Sequence, residues 1–242
     1  MLTCNYHDVA KMIDHALLSP TLDREALAAG CRLAAAYDVA SVCILPYAVR
    51  QGVEILADTT VVPSTVIGFP HGGQTTAVKV AEAGQAIADG AIELDMVCNI
   101  SAVLSDDWIY VADEIKAIVD LAHAEQRRVK VIFENCYLQD RHKRKLCEIC
   151  CAAGADWVKT STGFGSGGAT MEDLRLMIDH VTAPTEVKAA GGVRDLGTLL
   201  QVRELGVTRV GASATATILD AARVELKLPA IKIAGGPAAV GY

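Results

Sequence analysis

Trp157-Val158-Lys159-Thr160-Ser161-Thr162-Gly163-Phe164 reads as a short apolar strand that carries a lysine into a glycine-rich loop. The same grammar returns at Glu186-Val187-Lys188-Ala189-Ala190-Gly191-Gly192-Val193-Arg194. A strand that stops at glycines and gives way to an amphipathic stretch is the repeating unit of a parallel sheet crossed by helices. Working outward, strand-like runs lie at Ile13 to Leu18, Ala40 to Leu45, Thr65 to Phe69, Ile92 to Val97 and Val129 to Glu134, and a last one at Arg209 to Ser213. Between them, Asp23 to Tyr37, Thr75 to Asp89, Asp107 to Glu125, Asp140 to Ala153, Met171 to His180 and Asp195 to Leu205 repeat apolar residues at helical spacing. Eight βα units without a long interruption favour a closed (β/α)8 barrel over an open doubly wound sheet. The short, polar first strand is the weakest of the eight. We therefore expect one α/β domain over residues 1–242, with a flexible C-terminal tail from about residue 229.

Composition fits this architecture and excludes other classes. The chain is 52% hydrophobic but only 5% aromatic, so its core must rest on Ala, Val, Ile and Leu, as in parallel strands covered on both faces. A net charge of -7 argues against a nucleic-acid partner, which needs a basic face to displace counterions. The N-terminus lacks a basic segment followed by an apolar one, and no run reaches membrane-spanning length, so no membrane partner and a cytoplasmic location are expected. Eight cysteines are scattered through apolar patterns and read as reduced, mostly buried thiols. Cys147 and Cys150 have Cys-x-x-Cys spacing but sit in a helical pattern without a second ligand pair, so helix packing is favoured over zinc.

In a barrel the C-terminal strand ends form the site. Asp14, Cys43, Asp95, Glu134, Lys159 and Lys188 are the polar residues expected there. An ammonium normally titrates near ~10.4 and becomes nucleophilic only when burial or a neighbouring cation lowers that value. Lys159 is thus the candidate amine to condense with an aldehyde or ketone. Lys188 would lower its pKa and move protons, and Asp95 would hold Lys188 and a water. A buried ion-pair network that merely closes the barrel is the competing reading. The glycine-rich joins Gly163 to Gly168, Gly191 to Gly192 and Gly211 to Ser213 each follow a strand and precede a helix. Their backbone N–H groups and the helix N-termini favour a phosphate or another oxyanion, bound by Gly163, Gly191, Gly192, Gly211 and Ser213. Tight βα turns are the plainer alternative.

Five strings carry a resemblance: Ile13-Asp14-His15-Ala16-Leu17-Leu18, Thr65-Val66-Ile67-Gly68-Phe69-Pro70, Glu93-Leu94-Asp95-Met96-Val97, Lys159 to Phe164 and Lys188 to Arg194. In order and spacing they resemble the 2-deoxyribose-5-phosphate aldolase family, from about Ile13 to Ser213. The resemblance implies a (β/α)8 class I aldolase without metal or other cofactor. Its reaction interconverts 2-deoxyribose 5-phosphate with glyceraldehyde 3-phosphate and acetaldehyde. By motif, Lys159 matches the Schiff-base lysine, Lys188 the second lysine that tunes it, and Asp95 the aspartate of the proton relay. An iminium on Lys159 would act as the electron sink for carbon–carbon cleavage and leave acetaldehyde as an enamine. Cys43 matches a pocket cysteine of steric role, open to attack by reactive aldehydes. Asp14 and Thr162 fall among the substrate-binding positions. Tyr242 stands where some members carry a terminal tyrosine that assists the enamine proton step. A homodimer is the assembly the resemblance implies.

The chain departs from the family pattern at Ala16, where a threonine is usual, and at Ala214, where many members have a second serine. These changes keep a related aldolase with a different or non-phosphorylated substrate in view. A non-catalytic sugar-phosphate-binding barrel and an isomerase using Glu134 or Asp95 as a base are further alternatives. The paired lysines argue against the former. His71 reads as a surface loop histidine, and Arg141-His142-Lys143-Arg144-Lys145 as a solvated helix face.

Overall fold

Parallel pairing runs from each strand to the next and from the last back to the first, so the sheet closes on itself. The strands are β1 (Ile13–Leu17), β2 (Ser41–Ile44), β3 (Val62–Ile67), β4 (Glu93–Val97), β5 (Arg128–Ile132), β6 (Trp157–Lys159), β7 (Glu186–Ala190) and β8 (Arg209–Ala212). The computed structural model describes residues 4–232, and the architecture over them is the (β/α)8 barrel that the strand count predicts.

Six covering helices, Arg24–Tyr37, Thr76–Ala88, Trp108–Ala124, Asp140–Ala153, Met171–His180 and Leu196–Leu205, lie where the periodicity places them. Four of their starts are fixed by side chains that accept from orphan backbone donors: Asp23 from the Ala26 N–H, Asp107 from Tyr110, Thr170 from Asp173 and Asp195 from Thr198. Gly154 and Gly206 end two of them in the left-handed conformation. Val49–Leu56 and Thr215–Glu225 complete the outer ring. Periodicity did not reveal these two. The first is only two turns long, and neither begins with a side-chain cap.

Alternation along the strands sorts their side chains into two interiors. Ile13, Val42, Leu94, Val129, Val131, Val158, Val187 and Val210 point outward into the aliphatic layer beneath the helices, where all are buried. That layer is the Ala/Val/Ile/Leu core expected from composition. The lumen differs, because Asp14, Glu93, Asp95, Lys130, Lys159, Lys188 and Arg209 are buried there. Most barrels fill this space with branched aliphatic side chains. Its upper wall is apolar, made by Leu18, Cys43 and Val66 with Leu45 and Phe69 against them.

Three local expectations need correction. Lys188 does not end its strand but lies at the centre of β7, with Ala189 and Ala190 still paired above it. Glu134 lies beyond β5 with φ +58°, so it leads into the short 3-10 turn Asn135–Tyr137 instead of extending the strand. The basic run is not a uniformly solvated face. His142 and Lys143 are buried, and Lys143 reaches Asp173 at 2.5 Å on the next helix.

Candidate active site

Register brings the two lysines together. Lys159 on β6 pairs with Lys188 on β7, so both side chains enter the lumen at one level. Each Nζ lies 2.7 Å from the same carboxylate oxygen, Oδ2 of Asp95. Beyond that the two amines differ. Lys188 has a second partner in Asp14 at 2.6 Å, whereas Lys159 has Asp95 alone among the carboxylates that the described residues provide.

That asymmetry sets their titration. Burial draws the Lys159 amine below the ordinary lysine range; the Lys188 ammonium reinforces the effect, and Asp95 only partly opposes it. Burial also works against the charge of Lys188, but Asp14 and Asp95 outweigh it and hold this amine above its usual value. Asp95 is kept ionised far below the carboxylate range because Lys130, Lys159 and Lys188 overcome the cost of its burial. One site thus holds an amine whose proton is loosened, a firmly held ammonium and a carboxylate, a set that can supply a nucleophile, a proton donor and a relay.

Below this level lies a second tier that the sequence reading did not assign. Lys130 on β5 reaches Glu93 at 2.5 Å and Asp95 at 2.8 Å. Arg209 on β8 reaches Glu93 at 2.9 Å and also pairs with Asp14. Trp157 forms the floor, its ring facing the guanidinium of Arg209 at 4.8 Å, that of Arg128 at 5.2 Å and the Lys130 amine at 5.4 Å. The available signal was the two-residue spacing of Glu93 with Asp95, Arg128 with Lys130 and Lys188 with Ala190, which puts alternate residues on one face of a strand. Every charged member of both tiers sits on a strand.

Above the lysines, a cavity of about 140 Å³ is lined by Lys159, Lys188 and most of the predicted binding residues. Asp14, Cys43, Thr162, Gly163, Gly191, Gly192, Gly211 and Ser213 all face it, together with Ala16 and the unassigned Arg194. Asp14 is already engaged by Ser41, Lys188 and Arg209, so its carboxylate serves the lysines more than it serves a ligand. Burial, with Asp95 adding to it, pushes the Cys43 thiol up to about 11. This group is therefore an uncharged wall and a poor nucleophile near neutrality. The N–H and hydroxyl of Thr162 donate to Glu134, which locks the loop after β6. Glu134 accordingly works as a loop anchor and does not face the lysines as a base.

Two features suit the upper rim to an oxyanion. A Cβ on Gly168 would lie 2.4 Å from the Gly191 carbonyl oxygen, so the loops after β6 and β7 approach as only glycine permits. The helix Thr215–Glu225 begins just after Ser213, and Ala214 gives it no side-chain cap, leaving its first N–H groups without that competitor. Tyr242 lies outside the described residues. His71 is exposed on its loop.

Known proteins match the chain along most of its length. Residues 8–238 match the model of the DeoC/LacD family aldolases. The chain is 61% identical over 233 residues to a deoxyribose-phosphate aldolase of Rhodopirellula baltica, covering 96% of this chain and 97% of that one. It is 46% identical to the deoxyribose-phosphate aldolase of Thermococcus gammatolerans over 89% of this chain and 97% of that one. Among solved structures, the tetrameric deoxyribose phosphate aldolase of Aeropyrum pernix superposes with a TM-score of 0.83 at 30% identity, covering 90% of this chain and 92% of that chain. This chain belongs to the DeoC/LacD family of aldolases.

Proposed function

We propose that the protein reversibly cleaves 2-deoxyribose 5-phosphate to glyceraldehyde 3-phosphate and acetaldehyde through a Schiff base on Lys159. The observation that carries this reading is the single Asp95 oxygen shared by Lys159 and Lys188, with Lys188 held additionally by Asp14. In the open-chain sugar the neutral Lys159 amine adds to the C1 aldehyde, and loss of water leaves a protonated imine. Removal of the C3 hydroxyl proton then lets the C2–C3 bond break, its electron pair passing into the imine to form the enamine. Lys188, Asp95 and a water between them move the protons of dehydration, take up the C3 hydroxyl proton and protonate the enamine at C2. Water finally hydrolyses the imine, releasing acetaldehyde and the free lysine.

The glycine-rich rim, Ser213 and Arg194 are our assignment for the phosphate. No helix among the described residues is long and apolar enough to cross a membrane, and all eight cysteines are free thiols. The free thiols fit our reading of a reducing, cytoplasmic setting. Assembly as a multimer of identical chains is part of the same reading, supported by the tetrameric relative.

The experiment is borohydride reduction in the presence of 2-deoxyribose 5-phosphate, followed by intact mass and peptide mapping. A reduced adduct on Lys159 is expected. Folded protein left unmodified, or an adduct on another lysine, overturns the assignment.

A further inference from the structure

The seven charged side chains of the lumen do not balance. Lys130, Lys159, Lys188 and Arg209 are four cations, and Asp14, Glu93 and Asp95 are three carboxylates. All are buried, so an uncompensated charge among them is costly. The set is neutral when one amine is neutral. Lys130 touches Glu93 and Asp95 and lies 3.5 Å from Asp14. Lys188 touches two carboxylates, and the guanidinium of Arg209 does not deprotonate in proteins. Lys159, with its one shared carboxylate, is the member left to lose its proton.

We propose that Arg209 is a positioning residue for this chemistry: by occupying Asp14 and Glu93 with a permanent charge, it makes Lys159 the amine that gives up its proton. Arg209 touches neither Lys159 nor the cavity. It acts through Asp14, which it shares with Lys188, and through Glu93, which it shares with Lys130. The titratable and charged groups around Lys159 are Asp14 from β1, Cys43 from β2, Glu93 and Asp95 from β4, Lys130 from β5, Lys188 from β7 and Arg209 from β8. No residue of β3 is charged, and Glu134 is turned to Thr162. Arg128 adds a cation to Glu93 at 2.6 Å from the half-exposed rim.

The inference rests on the proposed nucleophilic role of Lys159, but its test does not require turnover. The reactivity of each lysine toward a trace of acetic anhydride is followed against pH and read by peptide mass, which gives the Lys159 midpoint without any substrate. Arg209→Gln leaves three cations against three carboxylates, and the Lys159 midpoint should rise by about one pH unit, the scale of a unit charge acting across a protein interior. Glu93→Gln shifts the balance the other way, and the midpoint should fall. The double variant should return toward the parent value, and Arg209→Lys, which keeps the charge but not the fork, should stay near it.

Opposite shifts in the two single variants establish the role of charge. Unmoved midpoints in folded variants, or shifts of the same sign in both, overturn it, because a purely structural part for Arg209 gives no such sign reversal. Either single variant fixes a sign by itself, so loss of fold in one leaves the other decisive. Parallel borohydride trapping on the parent separates the two questions. Failure to trap on Lys159 counts against the Schiff base, whereas trapping with unmoved midpoints counts against Arg209.

Discussion

Lys159 and Lys188 stand opposite each other across the β6–β7 ladder and direct their amines at one oxygen of Asp95. Two cations on one acceptor repel, and the repulsion is resolved in favour of Lys188 because Asp14 lies 2.6 Å from it. The two lysines are thereby made chemically unlike although their strands and burial are nearly the same.

On the proposed Schiff-base role of Lys159, removing its amine should end the reaction while sparing the barrel. Lys159→Leu is expected to lower kcat/KM by at least about 10³-fold, as loss of a covalent nucleophile does. It should also abolish the borohydride adduct. Circular dichroism and the thermal midpoint check the fold, which should persist because the change leaves three cations against three carboxylates in the lumen.

Lys188→Met tests the tuning. Without the neighbouring ammonium, Lys159 keeps its proton to higher pH, so the ascending limb of the pH–rate profile moves to the alkaline side. The activity near neutrality should fall by about 10²- to 10⁴-fold, the usual weight of a positioned proton donor. Restored activity at alkaline pH would show how much of the loss is tuning.

The pH dependence of the parent follows from two shifts of opposite sign. Lys159 must be neutral to attack and is drawn below its ordinary value, so activity rises with pH below about 10.4. Lys188 must be charged to donate and is held above its ordinary value, so activity declines only beyond about 10.4. A profile of kcat/KM should therefore be bell-shaped, with the Lys159 limb on the acid side. A single descending limb through neutrality would contradict both assignments.

Stability should respond to acid through the same carboxylates. Asp14, Glu93 and Asp95 are all held below their ordinary values by the lumen cations, against the opposing effect of burial. Depressed folded-state values mean that the unfolded chain takes up protons first. The stabilisation is then complete above the unfolded values of about 4 and lost as pH falls through the lower folded ones. Urea midpoints at pH 7, 4 and 3 should decline in that order.

Outside the lumen, Lys79 and Glu114 form a wholly buried pair at 2.8 Å between two covering helices, and Lys79 also donates to the Val97 carbonyl at 2.8 Å. Lys79→Met leaves Glu114 buried without its cation and should cost about 3–5 kcal/mol. Lys79→Met with Glu114→Leu should cost less than Lys79→Met alone. Urea denaturation of both variants checks this, and a double variant worse than the single would refute the pairing argument.

Much of the molecule was legible because strand ends announce themselves. Lys159 was found by its place before Thr160-Ser161-Thr162-Gly163, and the six helices from Arg24 to Leu205 by their three- and four-residue spacing. Val49–Leu56 was too short for a period to show. The seventh strand was read with its observed bounds, Glu186 to Ala190, yet Lys188 was placed at its mouth although Ala189 and Ala190 still pair above it. Lys130 and Arg209 escaped because they lie away from the C-terminal ends of their strands, where the site was sought. Only barrel closure shows that the inward face here is sealed and ionic. Arg194 was quoted within its motif but not recognised, since a loop arginine looks the same in sequence whether it lines a cavity or faces open solvent.

Because every charged group of the lumen is borne by a strand, the amine chemistry and the choice of substrate are physically separable. Adjacent ladders fix the backbone under each of those groups, while the loops that line the mouth hang from the strand ends. Exchanging or lengthening a loop can therefore change which aldehyde enters without resetting the proton affinity of Lys159. For a designer, the barrel is a chassis whose reactive amine comes already set, and altered specificity is best sought in the loops after β6, β7 and β8.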